Sequence, residues 1–522
     1  MPLDYPGLAR AAEARGDVEQ AGALWEEAVR AEPPDDAAFA GLTDYLVRAG
    51  QHERALGVCA AAAARTPSRA LPHLRAGRIL YQQIGDVAGA RSHFSLALAC
   101  EPDNSSAHEH LARIHLDQFE PQLSRGHAEL ALKRADQASA LRIGFTYLND
   151  HEGVIALAIQ ILANNPVDVE ALVLCARAFY MLGRYTESLG MFARAALHSP
   201  RRADALFGLG ECLMLLGDRE SAWRRFDDLV NEDMLARIDI GVRPSAGTFW
   251  RGQPLAGKSI FVAHFLGVGD NIMMARYVRS LNERGARVSF CCRPELFRLL
   301  ENLQGVDELS CDWRSRPWNT YDYWTFDFLL PRHLGGPESV TGFGDGGYVA
   351  VPGPPGVRRL PARSDRLRVG LCWSSGPAHF TGLARFLTPE DLRPLADLPD
   401  IDWFVVQKGP ANAGFAARSG LAAADFSEEW ADFRDTAAFM EELDLVVSIC
   451  SGPLNVAGAL GRPAWGLICA APDWRWGATG ATSPWYPGVR LFRQSRLYDW
   501  GPVVAELKSA LAAYQRPSTG SK

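Results

Sequence analysis

Glycines at Gly16, Gly50, Gly85, Gly183 and Gly217, and prolines at Pro33, Pro67, Pro102, Pro166 and Pro200, recur in steps of 34 or 35 residues with one larger gap in the middle. A period of this length in two residue types constrains the fold more than any compositional figure. Each copy must be one supersecondary unit that buries its apolar face by stacking on the next. The segment EALVLCARAFYMLGRYTESLGMFARAALHSPRRA (170–203) shows the unit: an apolar helix, a turn at Gly, a second helix with Ala at close-packing positions, and a Pro near the exit. About seven copies fit across 5–235, those within 105–169 being degenerate.

The period and pattern resemble the tetratricopeptide repeat. Such a solenoid leaves an extended groove, and the expected use is docking of a protein or peptide; a spacer or dimerisation arm is the simpler alternative.

Near residue 240 the pattern changes. SIFVAHFLG, NIMMARYVRSLNERG, ARVSFCC and PELFRLLENL read as β-α-β-α. After a Pro/Gly/Arg-rich stretch (351–366) the alternation restarts with LRVGLCWSS, LTPEDLRPLADL, DWFVVQKG, DTAAFMEELDLVVSIC, SGPLNVAGALG and PAWGLICA. The expected fold is therefore an α-helical repeat solenoid over 1–240, followed by two Rossmann-like α/β lobes over 241–355 and 356–522. Ligands of open α/β sheets bind at the carboxyl ends of the strands, which makes the edge between the lobes the place to look. The net charge of −7 carries no nucleic-acid signature, so no nucleic-acid partner is expected. The ten cysteines lack zinc-site spacing and point to a reducing compartment. No basic-then-apolar leader opens the sequence and no apolar run is long enough to span a membrane, so a cytoplasmic protein is expected.

Three strand ends and one strand–helix turn carry candidate chemistry. In HFLGVGDNIMMARYV a strand runs into Gly267 and Gly269, and Asp270 falls in the first helical turn. There it serves either as a cap or as a general base at the cleft. The third glycine of the dinucleotide fingerprint is missing. CWSSGPAHFTGLARF supplies Ser374, Ser375, His379, Thr381 and Arg385, a hydroxyl-rich loop with one Arg that suits a phosphate. WFVVQKGP places Gln407 and Lys408 after a strand, and DLVVSICSGPLNVAGALG brings Ser451, Gly452 and Asn455 to a helix N-terminus, a natural anion site. The D-x-D of Asp400 and Asp402 lies at the amino end of its strand, away from that edge. The rings of Trp474, Trp476, Trp485 and Tyr486 either flank a ligand or pack between lobes.

TFWRGQPLAGKSIFVAHFLGVGDNIMMARYV, FVVQKG, AGALGRPAW and PDWRW…SPWYPGVRLFRQ resemble bacterial glycosyltransferases that follow a tetratricopeptide array. This group is similar to lipopolysaccharide heptosyltransferases and, more distantly, to protein O-GlcNAc transferase. The resemblance implies the two-lobed GT-B fold and a nucleotide-sugar donor held mainly by the C-terminal lobe. It also implies metal-independent, inverting transfer, with no cofactor beyond the donor itself. Repeat-bearing relatives include flagellin glycosyltransferases whose repeats dock flagellin. Carried over, Asp270 is the candidate base. Arg385, Gln407, Lys408, Ser451 and Gly452 match donor-side positions, and Gly267, Gly269, Ser374 and Asn455 complete the candidate set. Cys450 and Asn455 stand where the family has Asp and His, and Thr381-Gly382 replaces its Asn-Asp pair. The expected function is sugar transfer from a nucleotide-sugar to a protein hydroxyl docked by the repeats. A lipid- or polysaccharide-linked acceptor, or an inactive repeat scaffold, are the competing readings.

Overall fold

Between Tyr5 and Asp228 the described residues form fourteen α-helices, α1 (Tyr5–Ala14) to α14 (Arg219–Asp228). The structure is a computed structural model that describes residues 4–15, 17–30, 36–118, 120–230, 249–312, 320–340, 347–352, 360, 364–375 and 382–515. Asp86, Asn104, Asp136, Asp168 and Asp218 each precede a helix and accept a backbone N–H from the residue three positions on. The turn glycines Gly183 and Gly217 take φ of 73° and 90°, the left-handed region that a side chain would strain. In the degenerate stretch Asn149 occupies the equivalent place at φ 56°, the conformation Asn tolerates best after Gly. The step from Gly50 to Gly85 is one residue longer than that from Gly183 to Gly217, and the extra residue is absorbed by a π-helical turn over Leu80–Ile84. Gly16 and Pro33 lie outside the described residues.

The chain divides into two compact units, 1–153 and 154–522. The change of residue pattern near 240 is thus a change of element type, while compactness divides inside the repeats. In the first unit, buried residues such as Trp25, Leu42, Leu46 and Cys59 form the core of the opening repeats. Further along, a groove of about 790 Å³ is lined by Arg78, Arg113, Arg134 and Arg142 together with Tyr81 and Tyr147.

The second unit contains α11 (Val169–Met181), α12 (Tyr185–His198), α13 (Ala203–Leu215) and α14, followed by two sheets. β1 (Ser259–Ala263), β2 (Arg287–Cys291), β3 (Glu308–Ser310) and β4 (Tyr323–Phe326) form an all-parallel sheet in the order β3-β2-β1-β4. β5 (Leu367–Cys372), β6 (Ile401–Val405), β7 (Leu445–Ile449), β8 (Ala464–Ile468) and β9 (Val489–Arg493) form a second, ordered β6-β5-β7-β8-β9 and also parallel. The strands read as continuous apolar runs because both faces are covered. The covering helices are α15 (Val268–Ala275), α16 (Val278–Glu283), α17 (Leu330–Leu334), α18 (Gly382–Arg385), α19 (Phe415–Ser419), α20 (Phe433–Glu441), α21 (Gly452–Ala459) and α22 (Gly501–Ala512). A repeat solenoid followed by two parallel α/β sheets is the fold class expected from the sequence. Two expected helices differ. PELFRLLENL yields a 3₁₀ turn over Pro294–Leu296, and LTPEDLRPLADL a 3₁₀ helix over Pro389–Asp397. Pro394, inside the latter, lacks the N–H that an α-helix would need.

Strand order locates the crevices. The chain reverses its direction of winding between β1 and β4 in the first sheet and between β5 and β7 in the second, and such switch points open a ligand crevice at the carboxyl ends. Side chains hold the two lobes together around these openings. Arg298 donates to Asp432 at 2.7 and 3.1 Å and to Asp435 at 2.8 Å. Arg276 is buried against the rings of Tyr348, Tyr486 and Trp485 at 4.7, 5.0 and 5.6 Å. The N–H groups of Tyr348 and Val349 donate to the Ala459 carbonyl at the end of α21. The end of the repeat array joins the same unit: the Tyr180 hydroxyl donates to the Pro472 carbonyl at 2.7 Å, and Trp223 and Phe226 of α14 pack on Trp474. Most of the expected linker falls outside the described residues.

Candidate active site between the lobes

β1 ends at Ala263, and the chain turns through Gly267 into α15, with Asp270 in its first turn. The Gly267 N–H donates to Asp270 Oδ2 at 3.2 Å, so the capping role read from the sequence is present. The other carboxylate oxygen accepts from Arg475, which also pairs with Asp473 at 3.2 Å. Asp473 in turn caps the 3₁₀ turn Trp474–Trp476 by accepting the Arg475 N–H at 3.1 Å. One guanidinium is thus clamped between two carboxylates, all three side chains buried. Burial is the largest influence on Asp270 and pushes its carboxyl above the ordinary range; Arg475 opposes that shift and Asp473 adds to it. Capping and base roles are compatible, because each oxygen engages one donor and keeps a further lone pair.

Beside Asp270, the Asn271 amide donates to Asp327 Oδ2 at 2.7 Å and its oxygen accepts from the Arg293 N–H at 2.9 Å. Asp327 follows β4, so the pair spans the switch point of the first sheet. Its carboxyl, fully buried, is raised to about 7, chiefly by desolvation.

Across the crevice, β7 ends at Ile449 and α21 begins at Gly452 with Ser451 as its N-cap. The Ser451 side chain caps none of the first-turn N–H groups. Pro453 removes one of them, leaving those of Gly452 and Leu454 as donors at a positive helix end. The Ser451 hydroxyl meets that of Ser448 at 2.9 Å and the Cys372 thiol at 3.4 Å, which ties the ends of β7 and β5 together. Arg385, in α18, is buried, and its positive charge acts on Cys450 and Cys469 at the ends of β7 and β8. Among the described residues its Nε has no hydrogen-bond partner. Cys450 is held by the Trp476 indole N–H at 2.9 Å, and burial raises its thiol, so it stands there uncharged. Ser374, Arg385, Ser451 and Gly452 therefore gather at the switch point of the second sheet.

Asn455 links the two halves. Its amide donates to the Ser451 carbonyl at 2.8 Å, and a Cβ added to Gly269 would lie 2.7 Å from that amide nitrogen. Only a glycine lets α15 approach α21 this closely.

Two candidates are engaged elsewhere. Gln407 accepts the N–H groups of Trp373 and Ser374 at 2.8 and 2.9 Å and donates to Asn412 at 3.0 Å, so it shapes the loop after β5 from behind. The Lys408 ammonium donates to the Trp430 carbonyl at 2.7 Å. His379 and Thr381 lie outside the described residues. Asp402 pairs with Arg366 at 2.7 Å at the amino end of the second sheet. Trp474, Trp476, Trp485 and Tyr486 are all buried, packed on each other and on α14. Arg475, within that aromatic block, is the crevice residue that sequence reasoning missed; an arginine between two tryptophans and beside an acid was the available signal. Among the described residues no three His, Cys, Asp or Glu side chains gather in a way that could hold a metal ion, and no helix is long and apolar enough to cross a membrane.

A tetratricopeptide repeat family model matches residues 7–70, 41–105, 147–199 and 176–223, skipping most of the degenerate stretch. The chain is 25% identical over 501 residues to Protein FlbA of Caulobacter vibrioides, with 83% of each chain covered. It is 26% identical over 270 residues to Tetratricopeptide repeat protein 37 of Xenopus laevis, a match over 50% of this chain and 15% of that protein. Among solved structures, a glycosyl transferase family 9 protein from Veillonella parvula aligns with a TM-score of 0.36 at 12% identity, covering 50% of this chain and 98% of that one. A tetratricopeptide repeat protein from Parabacteroides merdae aligns with a TM-score of 0.33 at 14% identity, over 45% of this chain and 96% of its own.

Proposed function

We propose that the chain is a glycosyltransferase that moves a sugar from a nucleotide-sugar donor to a protein hydroxyl docked by the repeats. One observation carries this reading: an oriented, buried carboxylate at the start of α15 meets the uncapped N-terminus of α21 across the Gly269–Asn455 contact. Asp270 takes the proton of the acceptor hydroxyl as its oxygen attacks the anomeric carbon. The bond to the donor phosphate breaks, and the charge left on phosphate oxygen is met by Arg385 and the N–H groups of Gly452 and Leu454. Gly267 and Gly269 keep the acceptor side narrow, while Ser374, shaped by Gln407, borders the donor. Residues 356–522 form the donor lobe and 241–355 the acceptor lobe. Lys408 is assigned to the rim.

Docking is assigned to the arginine-lined groove of the first unit, since residues 472–476 already cover the last repeats. The resemblance makes flagellin the first acceptor to test. In a strain lacking this chain, flagellin mass falls by the transferred sugar; an unchanged mass moves the acceptor to a lipid- or polysaccharide-linked sugar. Asp270→Asn abolishes donor-dependent transfer while leaving the unfolding transition cooperative, and full turnover in that variant removes Asp270 as the base.

Binding without transfer is favoured by two observations. Both Asp270 oxygens already accept a hydrogen bond, and an uncharged thiol stands at Cys450. Tight nucleotide-sugar binding with neither transfer nor hydrolysis by the wild-type chain would establish that alternative.

A further inference from the structure

The last repeat carries an acid where an apolar helix has no ordinary use for one. Glu211 lies in α13 within ALFGLGECLML, is 2% exposed, and among the described residues its Oε1 has no hydrogen-bond partner. It follows Arg177 by one repeat length, and α13 packs on the turn that holds Arg475. The groups whose charges act on it or are acted on by it are Asp473 and Arg475 of that turn, Arg177 and Tyr180 of α11, Asp270 of α15, and Cys212 of its own helix. Arg177 is drawn to Asp204 at 3.6 Å, and Arg475 is shared by Asp473 and Asp270. No cation in this set is left over for a fourth carboxylate.

Building on the transferase reading, we propose that Glu211 is a positioning residue for Asp270: it hydrogen-bonds the Asp473 carboxylate and thereby holds the Arg475 guanidinium on Asp270. Two aspartates already share one arginine in a dry site, and a third acid carrying charge would pull Arg475 from Asp270. Burial and Asp473 raise the Glu211 carboxyl well above its ordinary range, so it is a neutral acid with an O–H to donate. Among the described residues the Asp473 carboxylate is engaged by the Arg475 side chain and N–H, which leaves it capacity to accept a further donor. The end of the repeat array thereby becomes part of the catalytic arrangement.

The test uses the full chain with Glu211→Gln and Glu211→Leu. A buried acid of raised pKa stabilises the fold most at low pH and loses that contribution as pH rises through its folded value. Wild-type melting temperature therefore falls with rising pH more steeply than that of either variant; equal slopes overturn the neutral-acid assignment, whatever the enzyme's activity. In donor-turnover assays Glu211→Leu lowers kcat at least tenfold, leaves donor KM within twofold, and moves the acid limb of the pH profile upward, because a looser Arg475 no longer holds Asp270 ionised. Glu211→Gln, which donates from an amide to the same carboxylate, recovers kcat to within about threefold of wild type. A Glu211→Leu enzyme with wild-type kcat and acid limb, or a Gln variant no better than Leu, overturns the positioning role. A wild-type chain without turnover defeats the transferase reading instead, and the melting slopes still decide whether Glu211 is the neutral partner of this cluster.

Discussion

Arg475 rests its guanidinium on the buried carboxylate of Asp270, joining residues 205 positions apart and tying the C-terminal lobe to the start of α15. Arg475 does more than close a contact: it is the larger of two influences, the Gly267 N–H being the other, that favour the ionised form of Asp270 against desolvation.

Removing that arginine leaves two carboxylates buried without a cation. Arg475→Met is expected to cost about 3–5 kcal/mol, the usual penalty for breaking a buried pair from one side. Asp270 then rises further in pKa and a larger share of it is protonated, so turnover falls at least a hundredfold. Arg475→Lys restores charge without the two-pronged geometry and recovers only part of the loss. Urea unfolding and donor-turnover assays read both effects; a Met variant with wild-type midpoint and rate would refute the assignment.

The Gly269–Asn455 approach yields a double-mutant cycle. Gly269→Ala drives a methyl group to 2.7 Å from a buried amide already bonded to Ser451, which overpacking places at about 1–3 kcal/mol. Asn455→Ala removes the obstructing amide. The double variant is therefore expected to recover most of the lost stability, with a coupling energy of about 0.5–3 kcal/mol in urea unfolding. Additive losses would mean that the two residues do not obstruct each other.

Much of this arrangement was legible in the sequence, and the remainder for definable reasons was not. The 34-residue period exposed the repeats because stacking repeats the same packing demand, even where Asn149 replaces the turn glycine. Parallel strands announced themselves as short apolar runs, and the ends of β1, β5 and β7 carried the residues that meet at the crevice. Gln407 was legible as a residue at a strand end, but whether its amide faces a ligand or its own backbone depends on the neighbouring loop. Asp270 was legible; its partner was not, since pairing over 205 residues leaves no local periodicity. Glu211 did leave a trace, as a lone acid in an apolar helix, yet that pattern names no partner.

Asp327 supplies a stability test that is independent of catalysis. Its carboxyl is raised from 3.8 to about 7, so its contribution to stability is intact below the lower value and disappears as pH climbs to the higher one. The wild-type melting temperature is expected to drop across that window. Asp327→Asn, which cannot ionise, flattens the drop even though its single oxygen replaces the two that accept from Asn271 and the Phe328 N–H, so that it starts from a lower value. Parallel curves for the two proteins would show that Asp327 titrates as it does in the unfolded chain.

Arg385 offers the most direct probe of the donor side. It is buried at the carboxyl ends of β7 and β8, and its charge reaches Cys450 and Cys469, neither of which is an anion there. A buried guanidinium without a carboxylate among those neighbours is expected to be satisfied by a ligand phosphate. Hydrogen bonds to charged groups contribute about 1.5–3 kcal/mol. Arg385→Ala is therefore expected to weaken nucleotide binding roughly ten- to hundredfold. Ser451→Ala should do less, because that hydroxyl is already engaged by Ser448 and Cys372. Calorimetric titration with a panel of nucleoside mono- and diphosphates reads the difference, and the better-bound class tells how many phosphates the site accommodates. Equal affinity in wild type and Arg385→Ala would place the phosphate elsewhere and leave the α21 N-terminus without its cationic partner.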